Sequence, residues 1–407
     1  MNCRHCKTSL TETFLDLGFA PPSNAYLTAA DLSKPEKCFP LKIMVCNSCW
    51  LVQTEDYAAA DELFDANYAY FSSTSSSWLA HAKTYSQKLT KELELNKNSF
   101  VIEVASNDGY LLKNFVASGI PCLGIEPTDS TAAAAEQLGV PVLREFFGEK
   151  LGKQLAIEGS QADLIVGNNV YAHVPDINDF TFGLKAALKP GGTITLEFPH
   201  LMELIKYNQF DTVYHEHFSY LSLLTVSKIF QSSGLQIYDV EKLTTHGGSL
   251  RIFGCHADDS KTTSDSVKST LAKEKEFGLN SNKSYANFQR HAEQVKVNFL
   301  DFLTEKKRNG KNVMAYGAAA KGNTLLNFSG VDVELISGVF DNAQSKQFKF
   351  LPGSHIQILP PEQIEKFKPD YIIILPWNLR SEIEYQLSFV RKWGTKLVTI
   401  IPALEVF

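Results

Sequence analysis

Two groups of residues in this chain are spaced for chemistry. The first is a set of four cysteines in two pairs, Cys3-Arg-His-Cys6 and Cys46-Asn-Ser-Cys49. Each C-x-x-C turn brings two thiolates to one side. Two such turns complete a closed four-thiolate zinc site with no position left for water, so the role expected of Cys3, Cys6, Cys46 and Cys49 is structural. A redox dithiol or two unrelated pairs are the competing readings, with Cys38 or His5 as a substitute ligand. The second group is Tyr214-His215-Glu216-His217. Within four residues it offers proton acceptors and hydrogen-bond donors, the combination needed to remove a proton beside a carbonyl and hold the oxyanion that develops. In an extended segment, Tyr214 and Glu216 would face one way and His215 and His217 the other. A metal-binding His-x-His or a solvated loop competes with this reading. A zincin-type His-Glu-x-x-His is missing, because the second His follows Glu216 immediately.

These groups must be positioned by the elements around them. From residue 99 apolar strands alternate with helical stretches: strands over 100–105, 122–126, 163–167 and 193–198, and helices over 111–117, 130–138 and 180–188. The pattern predicts an open parallel sheet with helices on both faces, with Lys189-Pro-Gly-Gly192 as a turn into its fourth strand. Its first strand ends in Glu103-Val-Ala-Ser-Asn-Asp-Gly109, where Ala105, Ser106 and Gly109 are small enough to let a ligand approach the backbone. Glu126, at the end of the next strand, is placed to accept the hydroxyl hydrogens of a ribose, and Asn168-Asn169 close the strand after that. His246-Gly-Gly-Ser-Leu-Arg251 reads equally as a hairpin turn or as a ligand loop in which Arg251 pairs with a phosphate or carboxylate. A polar helical region over about 260–310 leads to a second alternating unit, with strands over 312–316, 336–340, 371–375 and 396–401. Its first loop, Met314-Ala-Tyr-Gly-Ala-Ala-Ala-Lys-Gly-Asn-Thr324, is a small-residue cradle for a diphosphate, with Gly317, Lys321 and Asn323 in it. Asp341-Asn342 ends the following strand, where a nucleoside would be read. Taken alone, this unit is also compatible with a nicotinamide site.

The whole chain agrees with an ordinary folded protein. Its 407 residues allow two to four domains, and 44% hydrophobic against 21% charged residues excludes disorder as the main theme. A net charge of −6 argues against a general nucleic-acid or anionic-membrane binder, since such affinity comes from clustered Lys and Arg. No apolar run approaches the roughly 18–20 residues that cross a bilayer, and no signal pattern opens the chain. The expected setting is cytoplasmic, the expected partner a small molecule, and the expected state a monomer.

Together with the cysteine segment, Glu-Val-Ala-Ser-Asn-Asp-Gly-Tyr-Leu-Leu (103–112), Tyr-His-Glu-His-Phe-Ser-Tyr (214–220) and His-Gly-Gly-Ser-Leu-Arg (246–251) resemble the nucleotide-sugar C-methyltransferases of deoxysugar biosynthesis. The resemblance covers essentially the whole chain. It implies an α/β protein with a small N-terminal zinc-binding domain (1–60), a central Rossmann-like class I methyltransferase domain holding S-adenosylmethionine (61–260), and a C-terminal Rossmann-like domain that helps hold the nucleotide sugar (261–407). It implies methylation of a nucleotide-linked 4-keto-deoxysugar, with carbon 3 the expected acceptor and carbon 5 the alternative. It also implies His217 as base, Glu216 as its orienting partner or a sugar ligand, and Tyr214, Tyr68 and His173 near the ketone. The cofactor set is Glu103, Ala105, Ser106, Asn107, Gly109, Glu126, Asn168 and Asn169. The substrate set is His246, Arg251, Gly317, Lys321, Asn323, Asp341 and Asn342. Ala105 stands where the family commonly has Gly, which a cofactor passing beside its methyl would tolerate. A nicotinamide-dependent sugar oxidoreductase and a degenerate scaffold are the readings from other classes.

Overall fold

The computed structural model describes residues 1–55 and 71–407. Tyr68 and the predicted boundary near residue 60 lie outside the described residues. The cysteine segment forms an antiparallel meander of β1 (Glu12–Ala20), β2 (Phe39–Val45) and β3 (Val52–Thr54). Its inward side chains, among them Phe14, Leu15, Ile43 and Val52, share a core with the C-terminal unit, while Cys3, Met44, Cys46 and Leu51 share one with the central unit. The meander is thus wedged between the other two units.

The central sheet contains β4 (Val101–Val104), β5 (Cys122–Ile125), β6 (Val142–Leu143), β7 (Ala162–Asn168) and β8 (Leu188–Pro199), all parallel. Helices on both faces bury β4 and β7 almost completely, which explains their unbroken apolar runs. A short strand, β9 (Ser219–Tyr220), leaves this unit and pairs antiparallel with β3, extending the meander to four strands. The chain then returns as β10 (Leu235–Leu243) and β11 (Ser249–His256), giving the order β10-β11-β8-β7-β4-β5-β6.

Two expectations change here. The sheet is not wholly parallel: β11 runs antiparallel to β8 and to β10, and a connection as short as Thr244–Gly248 can join β10 only to an antiparallel neighbour. Lys189-Pro-Gly-Gly192 is not a turn between elements but a bulge inside β8, where Leu188 pairs with Ala162 and Thr193 with Leu164.

The helices Asp265–Phe277 and Phe288–Arg308 form the predicted polar region. The first packs on β10, and the second sends Phe288, Phe299 and Leu303 into the core shared by the meander and the last sheet. That sheet contains β12 (Val313–Tyr316), β13 (Val339–Phe340), β14 (Ile358–Leu359), β15 (Tyr371–Ile374), β16 (Lys396–Thr399) and β17 (Glu405–Val406), in the order β14-β13-β12-β15-β16-β17. Only β17 is antiparallel. In both large sheets the strand order reverses beside the first strand, between β4 and β7 and between β12 and β15, the place where open α/β sheets form a ligand crevice. Among the described residues no helix is long and apolar enough to cross a membrane.

Candidate active site

The loop after β4 is built on left-handed backbone: Ala105 has φ +56°, Asn107 +49° and Gly109 +75°. These turns aim successive N–H groups at neighbouring strand ends. The Asn107 N–H donates to Glu126 Oε2 and the Thr128 N–H to Glu126 Oε1, both at 3.0 Å, so the Glu126 carboxylate is fixed while each oxygen keeps lone-pair capacity. The loop is closed from outside by the Ser72 N–H on Asn107 Oδ1 and the Ser73 N–H on Asp108 Oδ2. Asp108 was not among the predicted residues.

Ala105, Asn107, Glu126, Asn168 and Asn169 all face a cavity of about 430 Å³ at this crevice. Glu103, Ser106 and Gly109 do not. Glu103 is fully buried under the loop, and loss of solvent pushes its carboxyl well above the usual range, against a hydrogen bond from Tyr110. Ser106 packs on Gly124, and a Cβ at Gly109 would meet the Ala135 side chain at 3.0 Å. The small residue at 109 therefore serves helix packing and not ligand approach.

Residues 214–217 are not extended. The His217 N–H donates to the Tyr214 carbonyl at 3.0 Å, closing a turn that brings residues three apart together and sends the middle two elsewhere. The Tyr214 and His217 rings are consequently 3.9 Å apart, on the same side, which overturns the alternation expected from sequence. His215 turns away to the Phe39 carbonyl at 3.3 Å, and Glu216 accepts from Asn24 Nδ2 at 3.1 Å. The partner that orients His217 is not the Glu216 carboxylate. His217 Nδ1 lies 2.9 Å from the Thr212 carbonyl, which can only accept, so Nδ1 carries the hydrogen and Nε2 the lone pair.

His173, on the short turn Tyr171–His173 after β7, places its ring 4.5 Å from that of His217. Burial lowers both imidazoles, His173 to about 4 and His217 well below its ordinary value, and each is neutral at pH 7. Burial also raises the Glu216 carboxyl. Tyr214, His217 and His173 line the cavity.

The turn between β10 and β11 adds His246, itself left-handed at φ +53°, with Nε2 2.9 Å from Asn169 Nδ2. Arg251 does not reach the cavity. Its Nη2 donates to Glu197 Oε2 at 2.6 Å, and its guanidinium lies over the Tyr85 ring at 4.4 Å, a fully internal ion pair with no freedom to take a phosphate. This corrects its assignment as a ligand contact.

From the C-terminal unit, Ala319, Ala320, Lys321 and Lys346 reach the same cavity. Lys321 Nζ donates to Asn378 Oδ1 at 2.7 Å and sits 4.7 Å from the Trp377 ring centre. Trp377 Nε1 in turn donates to Asp211, whose carboxyl burial pushes up to about 6. The other predicted contacts are engaged within the protein. A Cβ at Gly317 would meet Pro376 at 2.4 Å. Asp341 accepts from the Ala318 and Ala343 N–H groups. Asn342 donates to the Tyr316 hydroxyl, and buried Asn323 to the Ser23 carbonyl. The cavity also has walls that no motif announced: Asn24, Trp78, Thr212 and the Phe146-Phe147 pair, with Phe146 62% exposed at its mouth.

The Sγ atoms of Cys3, Cys6, Cys46 and Cys49 lie within 4.8 Å of one another, with the Cys3–Cys49 and Cys6–Cys46 pairs at 3.5 Å. A tetrahedron with zinc–sulfur bonds of about 2.3 Å has edges of about 3.8 Å, so the four sulfurs fit the ion. Cys38 is exposed and outside the cluster, and His5 is engaged with Asn178 Oδ1 at 2.8 Å, so neither replaces a cysteine.

Three family models match successive stretches of the chain. Residues 3–64 match the family described as "Putative zinc binding domain", residues 78–240 a "Methyltransferase domain" and residues 244–402 a "C-methyltransferase C-terminal domain". The chain is 33% identical over 399 residues to the C-methyltransferase NovU of Streptomyces niveus, covering 98% of this chain and 95% of that protein. A shorter stretch of 97 residues is 34% identical to a ubiquinone biosynthesis O-methyltransferase of Paramagnetospirillum magneticum, 23% of this chain and 37% of that protein. Among solved structures, the magnesium protoporphyrin IX methyltransferase of Synechocystis, with bound SAH, superposes on 43% of this chain and 82% of its own at 14% identity and a TM-score of 0.34.

Proposed function

Given that the chain belongs to the S-adenosylmethionine-dependent C-methyltransferases, we propose that it methylates carbon 3 of a nucleotide-linked 4-keto-deoxysugar. The observation that carries this reading is one cavity walled by Glu126 of the central rim, the Tyr214–His217–His173 group and Lys321 of the C-terminal rim. S-adenosylmethionine supplies an electrophilic methyl on sulfur. The protein's own task is to make a carbon nucleophile beside it.

A ketone at carbon 4 acidifies the neighbouring C–H. His217 Nε2 takes that proton, and its bond electrons move into the enolate, while Nδ1–H stays on the Thr212 carbonyl. Tyr214 and His173 are close enough to the imidazole to donate to the enolate oxygen, and the low-dielectric pocket strengthens such bonds. Glu126 with Asn107 and Asn169 holds the adenosyl portion, and Lys321 offers a cation for the diphosphate. Ala105 keeps its methyl at the cavity wall and is compatible with a cofactor that passes beside it.

A nicotinamide-dependent oxidoreductase has no support here. In the loop of the second α/β unit that suggested it, Gly317 is required by the close approach of Pro376. The test is incubation with a panel of nucleotide 4-ketosugars and labelled S-adenosylmethionine, followed by mass spectrometry. The expected product gains one methyl in place of a hydrogen, and positional analysis separates carbon 3 from carbon 5. In D2O without the methyl donor, the ketosugar should take up deuterium beside the ketone. Absence of both methylation and exchange on every panel member would sink the reading.

A further inference from the structure

The two residues between Cys3 and Cys6 both reach out of the zinc-binding unit. Arg4, 6% exposed, donates through Nη1 to the Pro175 carbonyl at 2.6 Å and through Nη2 to the Thr54 carbonyl at 3.1 Å, with its guanidinium 5.4 Å from the Phe218 ring centre. Pro175 is in the segment just after His173, and Phe218 directly follows His217. His5 meets the Asn178 side chain, whose Nδ2 donates to the His5 carbonyl at 2.9 Å. Behind them, Gln53 ties the cluster to the same segment. Its Nε2 donates to Cys3 Sγ at 3.3 Å and its Oε1 accepts the Arg4 N–H at 2.9 Å, while its main chain lies opposite Ser219 in the β3–β9 pair. The Thr54 N–H completes the link on the Phe218 carbonyl at 3.2 Å.

The two segments that carry His173 and His217 are therefore joined through a turn whose ends are metal ligands. We propose that Arg4 is a positioning residue through which the four-cysteine zinc site sets the mutual placement of His173 and His217. The physical basis is rigidity. A tetrahedral ion fixes the Cys3–Cys6 turn, and a fixed turn holds a planar guanidinium fork on two carbonyls that no short side chain can bridge. Released from the ion, the turn gains conformers, the buried carbonyls lose their donors, and the two imidazoles lose their common reference. The kinetic part of the test rests on the role proposed for His217, but the structural part does not.

The test uses the full chain with Arg4→Ala and Arg4→Lys. In Arg4→Ala, zinc content and S-adenosylhomocysteine affinity by calorimetry should stay at wild-type values. Turnover of the ketosugar should fall on the order of 10²-fold, the effect of displacing a catalytic group by about 1 Å. Arg4→Lys, which can reach one carbonyl, should recover part of it. Amide hydrogen exchange should accelerate at 173–178 and 217–220 in Arg4→Ala, and equally in wild-type enzyme stripped of zinc by a chelator, with β4 and β12 remaining protected. Wild-type turnover and protection in Arg4→Ala would overturn the proposal. So would loss of protection spread evenly over β4 and β12 together with zinc and cofactor binding, the sign of a merely structural residue. If wild-type enzyme turns over no ketosugar, the functional reading fails and the exchange data still decide this one. If Arg4→Ala does not fold, Arg4→Lys decides it by the same readouts: wild-type turnover and wild-type protection at 173–178 and 217–220 would overturn the proposal.

Discussion

The rims of the two large sheets have the same topology and opposite fates. Beside β4 the chain uses left-handed residues Ala105, Asn107 and Asn169 to shape the rim, and the Glu126 carboxylate, fixed by backbone N–H groups, lines the cavity. Beside β12 the equivalent space is filled: Pro376 occupies the hollow over Gly317, and Asp341, held by two N–H groups just as Glu126 is, does not line the cavity. Only the short stretch Ala319–Lys321 and Lys346 reach the shared cavity. A reversal of strand order thus provides a crevice, and local packing decides whether a ligand can use it.

If the open rim holds the cofactor and the filled rim offers only a cationic edge, lesions should separate cleanly. His217→Asn, between the rims, should leave both ligand affinities unchanged and reduce turnover by roughly two to four powers of ten, the reach of a positioned base. Steady-state kinetics with calorimetry reads both quantities, and unaltered turnover would remove His217 from the reaction. Glu126→Ala should weaken S-adenosylmethionine binding about 10- to 100-fold, as expected for losing hydrogen bonds to a charged acceptor. Lys321→Met should raise KM for the nucleotide sugar about 10-fold with cofactor affinity untouched. An equal effect of Lys321→Met on cofactor affinity would show that the rims do not divide the ligands.

Acid should expose the open rim first. His173 and His246 are held at about 4 by burial, against an ordinary 6.5, so between those values they bind fewer protons folded than unfolded and their effect is to lower stability as pH falls from 6.5 toward 4. Asp211, raised to about 6 from 3.8, acts with the opposite sign over 6 to 3.8. His217 and His215, also lowered by burial, act with these two imidazoles, and Glu103 and Glu216, also raised by burial, act with Asp211; the four imidazoles outnumber the three carboxyls, and the urea midpoint should drop across this window. His246→Gln should flatten that drop, and a midpoint independent of pH would contradict the burial of these rings. The smallest effect belongs to Ala105→Gly. Relief of a left-handed alanine is worth about 1 kcal/mol, partly offset by the greater freedom of glycine in the unfolded chain, so a gain of under about 1 kcal/mol is expected by denaturant titration.

Much of this was legible beforehand. The four cysteines, the strand-to-helix loops after β4 and β12, and the acidic residue ending β5 follow from local patterns, because period and punctuation report local geometry. What failed did so for two reasons, contacts remote in sequence and a local turn without a sequence signal. The left-handed glycines at 109 and 317 looked like openings for ligands, but each accommodates a neighbour that is remote in sequence, Ala135 and Pro376. Tyr214-His-Glu-His217 looked extended because nothing in four polar residues announces a turn closed by its own hydrogen bond. The wall residues Asn24 and Thr212 carried no signal, since their role depends on three units meeting.

By itself, then, the sequence determined the chemical inventory: four thiols for a metal, several imidazoles, a carboxylate at a strand end, and two alternating α/β units to carry them. Those properties belong to residue types and short spacings. Only the tertiary structure decided which groups are free to act. Arg251 is neutralised by Glu197, 54 residues away, and the Cys3–Cys6 turn touches the segments carrying His173 and His217. A side chain's availability is set by partners that the fold brings from a distance, and local spacing carries no record of them.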